Sequence, residues 1–238
     1  MWINKYWLST RTPLYSFLFT IPLFFIYELG IFFTSSSEMI SMRNGADALM
    51  RQVLIALGIN GFYWIGIIFF LGFIIIFIYQ RKYWSDIEIH GDFLLIMMVE
   101  SLIWSTVLFY FMSNVNILLI INNSSILIQQ VTLAVGAGIY EEFLFRVLLI
   151  TCIGNMLGFI FQWSNRINNW VAMIIAAGIF SSFHFIGDFG DYFSFNIFMV
   201  RFFAGIVLGV LYFFRGFGIT AWTHAIYDLI VLTKITTG

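Results

Sequence analysis

Residues 129–153 read QQVTLAVGAGIYEEFLFRVLLITCI, and this stretch decides the fold. A helix needs about 20 apolar residues to cross a bilayer core, and the run is long enough. Yet Glu141, Glu142 and Arg146 stand in its middle. A charge at the centre of a span costs roughly 2.5–3.5 kcal/mol on insertion scales. Three in one span need partners, water or both. The whole chain supports a membrane reading. Of its 238 residues, 61% are hydrophobic and 10% charged, with a mean hydropathy of +0.96. A soluble domain carries about a quarter of its residues charged, so a soluble enzyme is excluded. The net charge of −1 gives no electrostatic footprint for nucleic acid, and no nucleic-acid partner is expected. The single cysteine, Cys152, excludes an internal disulfide and a cysteine-rich metal cluster.

Working outward, further apolar runs occupy 13–34, 61–79, 93–112, 169–187, 195–214 and 218–234. With 129–153 they make seven spans, or eight if 113–128 re-enters the membrane. The expected fold is all-α, a polytopic integral membrane helical bundle of about seven to eight transmembrane helices. Segment 35–60 is amphipathic, with Arg43, Asp47 and Arg51 spaced i, i+4, i+8, and reads as an interfacial helix. The chain divides into an N-terminal membrane region, 1–125, of two to three spans plus that helix, and a core of four spans, 126–238. With the N-terminus on one side, that side holds Lys5, Arg11, Arg81, Lys82, Arg166 and Arg215, against Arg43, Arg51 and Lys234 opposite. The positive-inside rule makes the N-terminal side cytoplasmic.

The ionisable residues within the predicted spans are Glu28, Glu100, Glu141, Glu142, Arg146, His184, Arg201, His224 and Asp228. Glu142 and Arg146 are i, i+4 and share a helix face, so a bidentate ion pair is expected. Glu141 lies about 100° round the helix from Glu142 and lacks that partner. It is free to serve as a general base or acid. The alternative is a polar clamp of all three residues between helices. Phe180 precedes His184 by one helical turn, close enough to pack on the imidazole. His224 and Asp228 share a face at i, i+4, able to bind a proton, a metal or a developing oxyanion, or simply to satisfy each other. Arg201 needs an acidic partner, for which Asp228, Glu100 and Glu28 are the choices. Glu28 and Glu100 either line the same cavity or serve as structural hydrogen-bonding residues. Gly205 and Gly209 form a GxxxG, which allows close helix approach.

Glu-Glu-x-x-x-Arg (141–146), Phe-x-x-x-His (180–184), a glycine-bearing helix (203–209) and His-x-x-x-Asp (224–228), in that order, resemble the CPBP family of CAAX proteases and bacteriocin-processing enzymes, also called Abi. That family includes the type II CAAX prenyl endopeptidases. The resemblance covers about 130–232 and makes the four-span region a CPBP-like catalytic core. It implies an intramembrane endopeptidase with a water-filled cavity open to the cytoplasm. It further implies that Glu141 and His184 activate the attacking water, that His224 and residue 228 steady the oxyanion, and that Glu142 and Arg146 hold the motif in shape. The family often has asparagine where this chain has Asp228. An ionised aspartate cannot donate a hydrogen bond, so Asp228 is either protonated or acts by orienting a protonated His224.

No cofactor is expected. The alternative is a divalent metal such as zinc held by Glu141, His184 and His224, though a His-Glu-x-x-His signature is absent. The expected substrate is a membrane-anchored or lipidated peptide or protein, and the location a bacterial cytoplasmic membrane. Two other functions use the same residues: a non-catalytic membrane scaffold of the same fold, and a proton-coupled transporter. The latter would be expected to carry internal repeats, and none is seen.

Overall fold

A computed structural model describes residues 2–33, 44–56, 89–113, 127–186 and 190–237, with the isolated positions 58, 71 and 78. The described residues are helical: α1 Trp2–Thr10, α2 Pro13–Phe32, α3 Gly45–Ala56, α4 Gly91–Ser113, α5 Leu127–Gly136, π-helical stretches Ala137–Glu141 and Phe143–Leu149, α6 Ile150–Phe161, α7 Asn165–Phe183, α8 Phe195–Arg215 and α9 Phe217–Thr237. Four helical spans are long and apolar enough to cross a membrane: Pro13–Phe32, Gly91–Ser113, Ile128–Phe161 and Phe195–Arg215. Phe217–Leu232 is a shorter apolar helix. The predicted run 61–79 and the stretch 114–126 lie outside the described residues, save positions 71 and 78.

Local chemistry sets the helix ends. Thr12 accepts from the Tyr15 N–H at 3.5 Å, with Pro13 in the first turn of α2, where a missing N–H costs nothing. Ser164 caps α7 by accepting from Ile167 N–H at 3.5 Å. The run predicted as 169–187 therefore begins earlier, at Asn165, and stops at Phe183, just before His184. Gly216, at φ +78°, joins α8 to α9 in one residue, a conformation that favours glycine. The predicted span 129–153 belongs to a longer continuous helix, Ile128–Phe161.

α9 is the central helix, packed against α2, α4, α5, the first π-helical stretch and α8. The long helix crosses α9 tightly at Gly138, where a Cβ would collide with the Ala221 carbonyl oxygen and come within 2.8 Å of the Ala225 Cβ. This brings the charged middle of the long helix against α9. Leu23, Tyr27, Ile31, Ile139, Tyr140, Ala221 and Ala225 form the apolar core beneath it. Gly205 of the GxxxG approaches α7, a Cβ there lying 3.2 Å from that of Ala177. Leu95, Val99, Leu102, Ile103 and Val107 of α4 are exposed, an apolar outer face that suits lipid rather than water.

Two corrections concern charged residues read as lying outside the spans. Arg215 was counted with the loop charges, but it is buried at the end of α8 and bonds Glu100. Of the amphipathic segment 35–60, Arg43 lies outside the described residues. Asp47 is fully buried, accepting from Tyr27 Oη at 2.8 Å and pairing with Arg51 at 2.8 Å. The first turn of α3 is thus docked in the protein, not laid on its surface, because the Tyr27 hydroxyl and Arg51 satisfy the carboxylate there.

Candidate active site

The charged middle of the long helix is wound as π-helix on either side of Glu142. A π-turn inserts an extra residue and re-aims side chains, commonly at functional sites. The two adjacent carboxylates take different surroundings. Glu141 accepts from Asn44 Nδ2 at 2.8 Å through Oε1. Its Oε2 lies 3.9 Å from His184 Nε2 and has no hydrogen-bond partner among the described residues. Glu142 is fully buried. Its Oε1 lies 2.8 Å from His224 Nδ1, and its Oε2 lies 3.0 Å from Arg146 Nε.

The Glu142–Arg146 contact differs from the bidentate pair expected. It is an ion pair through Nε alone, and none of the three guanidinium nitrogens has a hydrogen-bond partner among the described residues. The guanidinium instead lies over the Phe180 ring, 4.7 Å from its centroid, a cation–π arrangement. The second carboxylate oxygen is drawn off to His224, which explains why the arginine receives only one.

Phe180 is a hub. Its ring centre is 4.9 Å from that of His184 and 6.2 Å from that of His224, edge-on to both. His184 lies just past the end of α7 and is one-quarter exposed. Its Nδ1 is 2.9 Å from the Phe180 carbonyl. A carbonyl only accepts, so Nδ1 carries the proton and Nε2 faces Glu141. His224 Nε2 lies 3.6 Å from Asp228 Oδ2, beyond hydrogen-bond length. The residue bonded directly to His224 is therefore Glu142, with Asp228 flanking the far side of the ring. Glu141, Glu142, Arg146, Phe180, His184, His224 and Asp228 thus form one connected cluster drawn from three helical segments.

Other polar residues lie elsewhere. Arg201 pairs with Asp191 at 2.5 Å and lies over Phe185, not with the three acids expected, because Asp191, its N–H bonded to the His184 carbonyl, stands within reach of α8. Glu100 pairs with Arg215, and Glu28 accepts from the Tyr140 hydroxyl at 3.2 Å. Sequence reasoning missed Asn44. It belongs to no motif, and only its three-dimensional contact with Glu141 gives it meaning.

No group of three or more His, Cys, Asp or Glu side chains among the described residues is arranged to hold a metal ion. His224 commits Nδ1 to Glu142, which leaves Nε2, 3.6 Å from Asp228, as its other ring nitrogen.

No curated protein and no solved structure matches the chain significantly. Residues 122–230, just under half of the chain, match the family model described as Rce1-like, "Type II CAAX prenyl endopeptidase Rce1-like"; the CAAX-protease assignment holds over that part of the chain, a CAAX-protease-like membrane hydrolase region with a buried Glu/His/Asp cluster.

Proposed function

We propose that Glu141 and His184 activate water for hydrolysis of a peptide bond in a membrane-associated or lipidated peptide. The observation that carries this reading is the buried Glu141 Oε2, unpartnered among the described residues and 3.9 Å from His184 Nε2. Both atoms accept hydrogen bonds. A water seated between them donates one hydrogen to each and presents a lone pair to a carbonyl carbon. Glu141 takes the proton as oxygen attacks. The tetrahedral oxyanion is met by a protonated His224, held by Glu142 on one side and flanked by Asp228 on the other. Glu141 then delivers its proton to the leaving nitrogen as the C–N bond breaks, giving a carboxylic acid and an amine, which exchange a proton to leave as carboxylate and ammonium. Arg146 and Phe180 hold the carboxylate and the two rings in place. The description of the matched family supports a prenylated substrate.

The test is cleavage of a prenylated peptide reporter, beside its unprenylated twin, by protein in detergent or liposomes. Glu141→Gln, His184→Ala and His224→Ala are each expected to lose at least about 10²-fold in rate, the scale of a lost oxyanion donor. Folded variants that cleave at the parental rate would remove the assignment.

The N-terminus is proposed to be cytoplasmic, in a bacterial cytoplasmic membrane. With Arg215 and the Asp47-bound Arg51 set aside, the basic residues still favour that side. Arg11 donates to the Phe213 carbonyl and Trp170 packs on Phe213, which sets the start of α7 at the N-terminal end. Ser181 meets the Phe198 carbonyl at the other end. His184 therefore lies at the end opposite the N-terminus. A cytoplasmic N-terminus and a site reached at His184 from the cytoplasm exclude each other, and the basic-residue bias supports the first. Exposed Tyr192 decides it: with Cys152→Ser, Tyr192→Cys is expected to react with an impermeant thiol reagent from outside. Labelling only after permeabilisation reverses the orientation.

A further inference from the structure

Glu141 has two carboxylate oxygens with different surroundings. Oε2 faces His184, and Oε1 accepts from Asn44 Nδ2. Asn44 lies well outside the matched stretch 122–230 and is 7% exposed. Its amide is used at both ends. Oδ1 accepts from the Ala46 N–H at 2.9 Å at the start of α3, as an N-capping side chain does. With the oxygen committed to that N–H, the nitrogen must be the atom that meets Glu141. The residue is itself anchored. Its backbone N–H donates to Tyr27 Oη at 3.4 Å, and Tyr27 Oη donates to Asp47, which is paired with Arg51.

We propose that Asn44 is a positioning residue for the hydrolase: by donating to Oε1 it fixes the rotamer of Glu141 and leaves Oε2 as the proton acceptor facing His184. The proposal rests on the reading of Glu141 as the base. It makes the N-terminal region part of the site, not only its support. Without the Nδ2 donor, the carboxylate is free to rotate away from His184 or to form other contacts.

The cap and the donor can be separated. Asn44→Asp keeps an oxygen for the Ala46 N–H, and aspartate caps helices as well as asparagine does. It places a second carboxylate against Glu141, and two carboxylates at that distance cannot both ionise. Asn44→Ser keeps a capping oxygen on a shorter side chain, without the Nδ2 donor or the charge. Both are compared with the parent in the prenylated-reporter assay, with kcat, KM and thermal unfolding measured on the same preparations. The expected result is a loss in kcat of about 10- to 100-fold, the scale of a hydrogen bond to a charged group. KM should stay within about twofold, because Asn44 touches Glu141 and not substrate, and unfolding should shift little. A capping residue alone predicts parental kcat for both variants. Parental kcat per folded molecule, or failure of both variants to fold, overturns the proposal. Glu141→Gln, run alongside, separates the two failures. If it is inactive while Asn44→Asp and Asn44→Ser cleave normally, only the role of Asn44 falls. If it cleaves normally, the role of Glu141 falls first.

Discussion

Among the described residues, two arginine–glutamate pairs have a buried arginine, and they are built differently. Arg215 and Glu100 tie α8 to α4. Arg215 donates to both carboxylate oxygens, at 2.5 and 2.7 Å, and to Thr10 Oγ1 at 3.0 Å. Tyr6 donates to the same carboxylate at 2.7 Å, and the guanidinium lies 4.1 Å from the centre of the Trp7 ring. Burial and the Glu100 carboxylate push the Tyr6 phenol well above its ordinary range, which keeps it a donor. Arg146 and Glu142 meet through one nitrogen, and Glu142 spends its other oxygen on His224. One pair is closed on itself. The other is left partly open, with a histidine in the gap. A buried ion pair is costly to desolvate and seldom improves stability over apolar packing. The closed pair reads as a fastening between helices, and the open one as a holder for a reacting group.

The comparison breaks or sharpens at three substitutions. Glu142→Gln should do the most damage, since it removes the counter-ion of a fully buried arginine and the partner of His224. Breaking such a pair costs about 3–5 kcal/mol. Thermal unfolding should drop accordingly, and reporter cleavage by the folded fraction should fall at least about 10²-fold. Glu100→Gln should approach the same loss of stability, yet the protein that stays folded should cleave within about twofold of the parent. If its turnover instead collapses per folded molecule, the division between fastening and holder is wrong. Asp191→Asn is the mildest. Asp191 donates its N–H to the His184 carbonyl at 3.0 Å while its carboxylate, half exposed, holds Arg201. An exposed pair contributes about 1 kcal/mol or less. The variant should unfold near the parental temperature and lose a few-fold in kcat. A full loss of activity would place Arg201 and Asp191 within the holder rather than beside it.

Much of this was legible in the sequence. The apolar runs behind α2, α4, the long helix and α8 are written in composition, because lipid demands length and hydrophobicity together. The Glu142–Arg146 and His224–Asp228 spacings gave their neighbourhoods, because helical periodicity is local. What escaped was long-range or geometric. Asn44 is an ordinary residue until the fold brings it to Glu141. Arg215 looked like a loop charge because its partner, Glu100, is 115 residues away. Arg201 was assigned to distant acids when Asp191 lay ten residues before it, since the turn that joins them has no apolar pattern to announce it. The π-helical winding has no compositional mark, yet it decides which carboxylate meets which histidine.

The 34-residue apolar stretch Ile128–Phe161 has a further consequence. At 1.5 Å per residue a helix of that length measures about 50 Å, well beyond a hydrocarbon layer of about 30 Å. It has to lean or carry its end into the headgroups, where Phe159, Ile160 and Phe161 stand uncovered. Lipid thickness thus becomes a mechanical input, able to tilt the rod on which two neighbouring acids are mounted.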